Sequence, residues 1–234
     1  ILGDTWEWDG SAWLPILTVH APPPQYGHRL AFDSARGVTV LYPGFFGNNT
    51  VWEYDGVDWT ARSSTSQPPF RSGAGFAYDA RRSRCVLFGG ANPAQADTWE
   101  WDGQNWFARA PANHPPGRGD GAMVFDEKRG KVVLFGGADA QLVQLADTWE
   151  WDGVDWSPRL TAGPLPAARS FAGLAYDSGR GRCVLFGGRG LPGEWYDTWE
   201  LLVGCDRAGP GEPSGAGLAI GCTAAPQIGS TFCV

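Results

Sequence analysis

The sequence is poor in the residues from which metal and redox sites are usually built. Its 234 residues include three histidines, five cysteines and one methionine. His20, His28 and His114 stand in unrelated local contexts, and no His-x-x-x-His or Cys-x-x-Cys spacing occurs. Zinc and copper centres need clustered ligands of these types. We therefore predict no metal site and no cofactor.

Positive charge and long apolar runs are also scarce. Lysine and arginine total 18 against 25 acidic residues, for a formal net charge of −7. A sequence-independent hold on nucleic acid or on an anionic membrane needs a basic face, so neither partner is expected. No run approaches the roughly 18 apolar residues of a membrane span, and no signal peptide opens the chain. Because Ile1 is not an initiator residue, we expect a processed or partial chain. The lack of a signal peptide in this sequence therefore does not indicate a cytoplasmic location.

The five cysteines fall into two groups. Cys85 and Cys183 occupy one position in two repeats, where other repeats have Thr39 and Val132. We interpret both as small buried hydrophobic residues. The other three lie in the last thirty residues and are candidates for a tail disulfide: Cys205, Cys222 and Cys233.

The main feature of the sequence is an internal repeat. The string DTWEWDG begins at Asp4, Asp97 and Asp147, with variants at Thr50 and Asp197. Each full unit also has two earlier runs rich in Val, Leu, Phe and Tyr and bounded by Gly, Pro or Asp, which predicts β-strands. The Asp-Gly step after each Trp-rich run predicts a two-residue hairpin turn, so four strands per unit are expected.

These units resemble the kelch repeat over roughly residues 4–203. The shared features are an aromatic-Asp first strand, a second strand ending in Gly-Gly, and a Trp in each of the last two strands. The first unit departs from this pattern with Pro43-Gly44. The resemblance implies an all-β, kelch-type β-propeller with four full repeats plus an N-terminal half blade, and thus four to five blades.

The ends of the chain leave several arrangements open. We assign 1–203 to the propeller, 204–217 to a Gly/Pro-rich linker, and 218–234 to a tail whose short strands either close a blade or start another β domain. The ring could close through its own termini, copies of the chain could complete each other's blades as a homo-oligomer, or the chain could be a fragment. Similarity to secreted bacterial multi-kelch proteins implies an extracellular or cell-surface location.

The repeated tryptophans are expected to form the core between blades, rather than an aromatic platform for a ligand. The expected core residues are Trp6, Trp52, Trp99, Trp149, Trp199, Trp13, Trp59, Trp106 and Trp156.

Arginine and aspartate vary together across the units. Arg71, Arg118 and Arg169 precede three first strands, and the same units open their third strand with Asp97, Asp147 and Asp197. The first unit has Gln25 and Thr50 instead. We expect structural ion pairs, because a lone charge at these positions would be partly desolvated. The alternative is that the arginines ring the channel mouth and bind an anion.

Strand order predicts one uniform face and one variable face. The variable face carries the connections between second and third strands and the linkers between blades, and such loops are where binding residues concentrate. The ligand-binding candidates are Phe45, Phe46, Trp195 and Tyr196, with His114 and Arg189 beside them. These aromatics suit stacking on a sugar or gripping a peptide, although they could equally cover blade edges.

No constellation of residues indicates catalysis. Glu7, Glu53, Glu100, Glu150 and Glu200 recur in every unit, which favours an architectural role, and no unique polar cluster is evident. We predict a non-catalytic extracellular binding or assembly scaffold whose ligand is a protein or a glycan. Two alternatives are a carbohydrate-binding or carbohydrate-active propeller, and a subunit that self-assembles through open blade edges.

Overall fold

β-Strands form where the sequence alternates short apolar runs with turn residues. The computed structural model describes residues 1–91, 93–160, 164–191, 193–202 and 230–233. Regular structure in these residues consists of eighteen β-strands. None of the described residues belongs to a helix that could cross a membrane. The candidate tail disulfide lies outside the described side chains.

The strands form one hairpin and four four-stranded sheets. The hairpin, or half blade, is β1 (Thr5–Trp8) and β2 (Trp13–Ile16). The first blade is β3 (Arg29–Asp33), β4 (Val38–Tyr42), β5 (Val51–Tyr54) and β6 (Trp59–Arg62). The second blade is β7 (Gly75–Asp79), β8 (Arg84–Phe88), β9 (Thr98–Trp101) and β10 (Trp106–Arg109). The third blade is β11 (Ala122–Asp126), β12 (Lys131–Phe135), β13 (Thr148–Trp151) and β14 (Trp156–Arg159). The fourth blade is β15 (Gly173–Asp177), β16 (Arg182–Phe186), β17 (Thr198–Leu202) and β18 (Ser230–Cys233).

Successive blades pack through their first strands to form a β-propeller. β3 contacts β7, β7 contacts β11, and β11 contacts β15. The first strands of the four blades line a central cavity of about 440 Å³. They contribute Leu30, Phe76, Met123 and Leu174 to its wall. The predicted all-β propeller is therefore confirmed, and of the four to five blades expected, the described residues form four.

Each of the first three blades buries one apolar face against the next blade. Between the second and third blades, Val86 and Phe88 meet Val132, Leu134 and Trp151. Burying several large side chains at every such contact supplies the main stabilisation of the ring.

The tryptophan core differs in part from the prediction. Trp59, Trp106, Trp156 and Trp199 are buried, while Trp52, Trp99 and Trp149 are half-buried. Trp6 and Trp13 are 49% and 63% exposed, so their assignment to the core was wrong. Their side of the half blade is not covered by any described sheet. Trp101 and Trp151, which close the third strands, are among the most buried side chains and were missed.

The fourth blade likewise has one uncovered face. Phe186 is 56% exposed, whereas Phe88, at the same place in the second blade, is 1% exposed. The fourth strand of this blade is β18, which pairs with β17 in parallel rather than antiparallel fashion. This part of the tail therefore lies beside the fourth blade and not beside β1. The rest of the 218–234 tail is outside the described residues.

The Asp-Gly steps do not form two-residue turns, and that prediction was wrong. Trp101 pairs directly with Trp106, which leaves a four-residue loop. Asp102 Oδ1 accepts hydrogen bonds from the backbone N–H groups of Gln104 and Asn105, both at 2.8 Å. The positive φ belongs to Gly103, at 98°. The aspartate thus closes the loop with its side chain, and glycine supplies the left-handed conformation.

Candidate functional site

In three of the four blades, an arginine precedes the first strand and is fully engaged with its own blade. Arg118 Nη1 and Nη2 lie 2.5 Å and 2.8 Å from the two carboxylate oxygens of Asp147. Nη1 also donates to the carbonyl of Gly136, and Nε donates to that of Pro116. Asp147 Oδ2 further accepts a hydrogen bond from Trp149 Nε1 at 2.7 Å. The recurring Asp-x-Trp motif therefore builds the carboxylate that holds this guanidinium.

The same geometry recurs in the second and fourth blades. Arg71 pairs with Asp97, and Arg169 pairs with Asp197, each at 2.5 Å. The first blade avoids both charges: Gln25 is buried, and its Oε1 accepts a hydrogen bond from Gly44 N at 2.8 Å. Because the three arginine side chains are 0% or 1% exposed, this geometry favours structural pairs over an anion-binding ring.

Hydrogen bonding sets the charge state of the paired aspartates. Burial by itself raises the pKa of Asp97, but hydrogen bonds from Arg71 and Trp99, together with the Arg71 charge, outweigh it. The pKa of Asp97 therefore lies below its usual value, and the pKa of Asp147 is lowered in the same way by Arg118 and Trp149. Both carboxylates are ionised at neutral pH.

The repeated glutamates form a second network that the sequence did not reveal. Glu100 is fully buried and pairs with Arg82 and with Arg109, the latter at 2.6 Å. Arg82 also pairs with Asp79 at 2.7 Å. Trp151 of the next blade donates its Nε1–H to Glu100 Oε1 at 3.1 Å. Glu100 thus ties the β7–β8 turn and β10 of its own blade to the neighbouring blade, and Glu53 does the same with Trp101.

Most of the repeated charged residues take part in this network. Its equivalents involve Asp33, Arg36, Glu53 and Arg62 in the first blade, and Asp126, Arg129, Glu150 and Arg159 in the third. Within the described part of the chain, no group of three or more His, Cys, Asp or Glu side chains is placed to hold a metal ion. The repeated carboxylates are therefore occupied by structural contacts.

Two of the candidate aromatics join a larger cluster on the variable face. Phe45 stacks on Tyr26 at 5.1 Å between ring centroids, and Phe46 meets the same ring edge-on at 5.9 Å. Phe70, from the linker to the second blade, lies 6.4 Å from Phe45. Phe46 is 68% exposed and has a φ of 68°. A bulky residue in this left-handed conformation is strained. We call Tyr26, Phe45, Phe46 and Phe70 the aromatic cluster.

The other candidate aromatics line a separate groove on the fourth blade. It has a volume of about 490 Å³ and is lined by Phe171, Phe186, Arg189, Glu194, Trp195 and Tyr196. Tyr196 is 78% exposed, and its hydroxyl donates to Glu194 Oε2 at 2.7 Å. The Trp195 ring lies 5.3 Å from the guanidinium carbon of Arg169. We call this the fourth-blade groove.

His114 joins neither the aromatic cluster nor the fourth-blade groove. It is exposed, and its Nδ1 lies 2.9 Å from the carbonyl of Pro115. The preceding Asn113 bonds to Asp155, in the turn between third and fourth strands of the next blade. His20 bonds to Asp58 in the equivalent turn. The prediction that these parts of the linkers belong to the variable face was therefore wrong.

A collar of backbone hydrogen bonds surrounds the channel mouth. Gly73 N donates to Gly27 O at 3.2 Å, Asp120 N to Gly73 O at 2.6 Å, and Phe171 N to Asp120 O at 2.9 Å. All four residues have positive φ, between 55° and 70°. The first two blades place glycine at this strained position, whereas the third and fourth blades place side chains there.

One of those side chains, Asp120, belongs to a charged pair that the other described blades do not repeat. Arg29 Nη2 lies 3.5 Å from Asp120 Oδ1, across the channel mouth from the first blade to the third. Arg29 also lines a cavity of about 320 Å³ with Phe76, Met123 and Phe171. Burial raises the pKa of Asp120 despite the nearby Arg29. The prediction that no unique polar cluster exists was thus incomplete.

His28 adds a third perturbed group beside this pair. Burial, and then the charge of Arg29, lower the pKa of His28, and its buried Nδ1 has no hydrogen-bond partner. Equivalent positions hold Ala74, Gly121 and Ala172. The one sequence signal for this site is that His28 replaces the small residue found at the equivalent positions.

The two repeated cysteines are inert. Cys85 and Cys183 are each 1% exposed and unpaired. Burial raises the pKa of the Cys183 thiol to about 12. Their interpretation as small buried hydrophobic residues is confirmed.

Comparison with known proteins supports the architecture. No family model matches the sequence, and no curated protein matches it. Among solved structures, one titled "Structure of YjhT" is similar, with a TM-score of 0.64 and 16% sequence identity. The match covers 83% of this chain and 71% of that chain. At this level of identity, the similarity shows the β-propeller fold alone.

Proposed function

We propose that this chain is a kelch-type, non-catalytic binding module that works outside the cell and grips a protein ligand through the aromatic cluster. A propeller fold is consistent with a binding or scaffold role in general. The observation that carries the proposal is the way side chains are used: repeated charged residues are paired inside the blades, while the aromatic cluster is non-repeated and open to solvent.

The chemistry of the cluster favours a peptide with an apolar anchor. Tyr26 and Phe46 are 52% and 68% exposed, and both rings contact one another, while Phe45 stacks on Tyr26. Clustered aromatic rings with few rotatable bonds dominate the energetics of protein interfaces. An apolar side chain inserted between Phe46 and Phe70 would complete their burial.

Selection of peptides on the immobilised protein tests this proposal. Peptides from a displayed library are expected to lose at least about tenfold in affinity for Phe46→Ala, because truncating an anchor typically costs more than about 1.4 kcal/mol. Phe107→Ala is the matched control, since Phe107 is 42% exposed on β10, outside the cluster. Selected peptides that bind Phe46→Ala and Phe107→Ala equally well would remove the cluster as the binding site.

A polar, hydroxyl-rich ligand is the second candidate. It is favoured by Phe171, which lines both the channel-mouth cavity and the fourth-blade groove. The combined surface sets the aromatic planes of Phe171 and Tyr196 beside Arg29, Arg189 and Glu194, a combination that suits stacking on sugars with hydrogen bonds at their edges.

A glycan array separates the two candidates. Binding of a sugar that is lost in Tyr196→Ala and retained in Phe46→Ala would favour the glycan ligand. Screening for hydrolase activity, and for oxidase activity with added copper, would detect catalysis. Turnover that depends on residues 189–196 would overturn the non-catalytic assignment.

A further inference from the structure

The Arg29–Asp120 pair at the channel mouth is less completely bonded than the pairs inside the blades. Arg29 Nη2 lies 3.5 Å from Asp120 Oδ1, and Arg29 Nη1 donates to the His28 carbonyl at 3.3 Å. Among the described residues, these two are the hydrogen bonds that the Arg29 guanidinium makes. Arg118, by contrast, uses three nitrogens in four hydrogen bonds of 3.0 Å or shorter. Arg29 therefore keeps N–H groups that can bind a ligand.

Burial destabilises the charges of this pair more than their mutual attraction stabilises them. The Arg29 and Asp120 side chains are 28% and 19% exposed. Burial lowers the pKa of Arg29 and raises the pKa of Asp120, although the Arg29 charge acts in the opposite direction on Asp120 and the Asp120 charge does so on Arg29. The pKa of Asp97, whose guanidinium partner lies at 2.5 Å, is lowered instead. A ligand that supplies the missing hydrogen bonds would stabilise both charges.

The second blade leaves room for this pair. Gly73 occupies the collar position of Asp120, and a Cβ there would stand 2.3 Å from Asp120 Oδ1. Gly75 occupies the position of Arg29, and a Cβ there would stand 2.8 Å from Met123 Sδ. A side chain at either position would force the third-blade residue to move. The two glycines thus leave a notch in the second blade, over which the first and third blades exchange charge.

An apolar wall adjoins the charged pair. The cavity of about 320 Å³ that Arg29 lines is bounded mainly by apolar side chains, among them Met123, Phe171 and Leu174. Phe171 takes the collar position that is glycine in the first two blades, and its side chain is 62% exposed. The first strands that carry these groups pack on one another in turn, β3 on β7, β7 on β11 and β11 on β15. The channel mouth therefore sets two opposite charges beside an apolar surface.

We propose that the channel mouth binds a free α-amino acid with an apolar side chain. The ligand carboxylate meets the Arg29 guanidinium, and the ligand ammonium meets the Asp120 carboxylate. The apolar side chain packs against Phe171 and Met123. This site shares no residue with the aromatic cluster, and it does not depend on the proposed function.

Charge complementarity selects this class of ligand. A simple anion would be attracted by Arg29 and repelled by Asp120, and a simple cation would meet the reverse arrangement. A neutral sugar would match neither charge. In an α-amino acid, a single carbon atom separates the carboxylate from the ammonium, so the two groups can reach protein charges that lie 3.5 Å apart. The terminal charges of a peptide are separated by its whole length, and a cavity of this size suits a small molecule.

Titration calorimetry with L-leucine, L-methionine and L-phenylalanine as probes tests the site. At least one of them is expected to bind one-to-one with a dissociation constant of about 1 mM or below. Two derivatives of the tightest binder then separate the charges on the unmodified protein, because its amide keeps only the ammonium and its N-acetyl form keeps only the carboxylate. Each derivative is expected to bind at least about tenfold more weakly, since one charge-assisted contact is lost.

Matched variants test the two protein groups. Arg29→Gln and Asp120→Asn are each expected to weaken amino-acid binding at least about tenfold. Both side chains are partly exposed, so the variants are expected to fold, and their melting temperatures check this. Arg84→Gln is the control, because Arg84 is half-buried and donates to the carbonyl of its preceding residue, as Arg29 does. Phe46→Ala, which removes the proposed peptide anchor, is expected to leave amino-acid binding unchanged.

Several outcomes decide against the site. The proposal is overturned if none of the three amino acids binds, if the amide or N-acetyl derivative binds as tightly as its parent, or if Arg84→Gln weakens binding as much as Arg29→Gln. N-acetylglucosamine is titrated in parallel, and binding of this sugar without binding of amino acids would assign the channel mouth to a hydroxyl-rich ligand. Amino-acid binding that persists while selected peptides ignore Phe46→Ala would overturn the proposed function alone.

Discussion

The first blade suggests an experiment on the buried ion pairs, because it has uncharged Gln25 and Thr50 at the positions where the other blades have arginine and aspartate. Asp147→Thr removes the partner of Arg118, whose side chain is 1% exposed. Leaving a buried charge unpaired typically costs about 3–5 kcal/mol. Since the Asp147 side chain is 38% exposed, water reaches this end of the pair, and we expect a cost of about 2–3 kcal/mol. For a chain of this size, this loss lowers the melting temperature by roughly 4–12 °C.

The double variant Arg118→Gln with Asp147→Thr then reproduces the Gln25 and Thr50 of the first blade. Both charges are gone, so the double variant is expected to be more stable than Asp147→Thr alone by about 1–2 kcal/mol. Urea unfolding of the wild type, both single variants and the double variant gives the coupling energy. If the double variant is no more stable than Asp147→Thr, the buried guanidinium does not depend on its carboxylate, and the interpretation of the Arg and Asp covariation is wrong.

Three further measurements test other parts of the structure. Glu100→Gln is expected to lower the free energy of unfolding by about 2–3 kcal/mol, measured by urea unfolding. Glu7→Gln, at the equivalent exposed position, is expected to change it by no more than about 0.5 kcal/mol. Equal costs would contradict the buried network. In a variant that keeps Cys183 as its sole cysteine, the thiol is expected to resist an aromatic disulfide reagent until the chain unfolds, because burial raises its pKa to about 12. Phe171→Gly relieves a φ of 58° and is expected to leave stability unchanged or raise it by up to about 1 kcal/mol, whereas Phe107→Gly in a strand costs about 1 kcal/mol; a similar loss in both would show that the collar is not strained.

Periodicity carried most of the fold. Strings recurring every 46 to 50 residues predicted the strands and their grouping in fours. They did so because each repeat has to bury the same pattern of apolar residues. The covariation of Arg118 with Asp147 likewise predicted a contact between side chains 29 residues apart. Both inferences compare equivalent positions, and they hold wherever the environment of those positions is also equivalent.

The errors arose where equivalent positions have different environments or different chemistry. Trp6 and Trp13 match buried or half-buried residues in sequence, but no described sheet covers them. Asp102-Gly103 has the composition of a two-residue turn, yet the aspartate side chain replaces a backbone bond and lengthens the loop. Arg29 and Asp120 are 91 residues apart and belong to no repeated pattern, so periodicity could not bring them together.

The half blade separates what the repeated motif encodes from what its surroundings supply. The same Asp-x-Trp-Glu-Trp string gives multiply bonded carboxylates at Asp97, which is half-buried, and at Glu100, which is fully buried, but exposed carboxylates at Asp4 and Glu7. A buried glutamate is tolerable only when guanidinium and indole groups from other strands satisfy it. The motif therefore specifies one side of an interface, and the identity of the neighbour decides whether that side is structural or available to a partner. On this argument, a binding site of the molecule is to be sought where a non-repeated residue replaces glycine, as at Asp120.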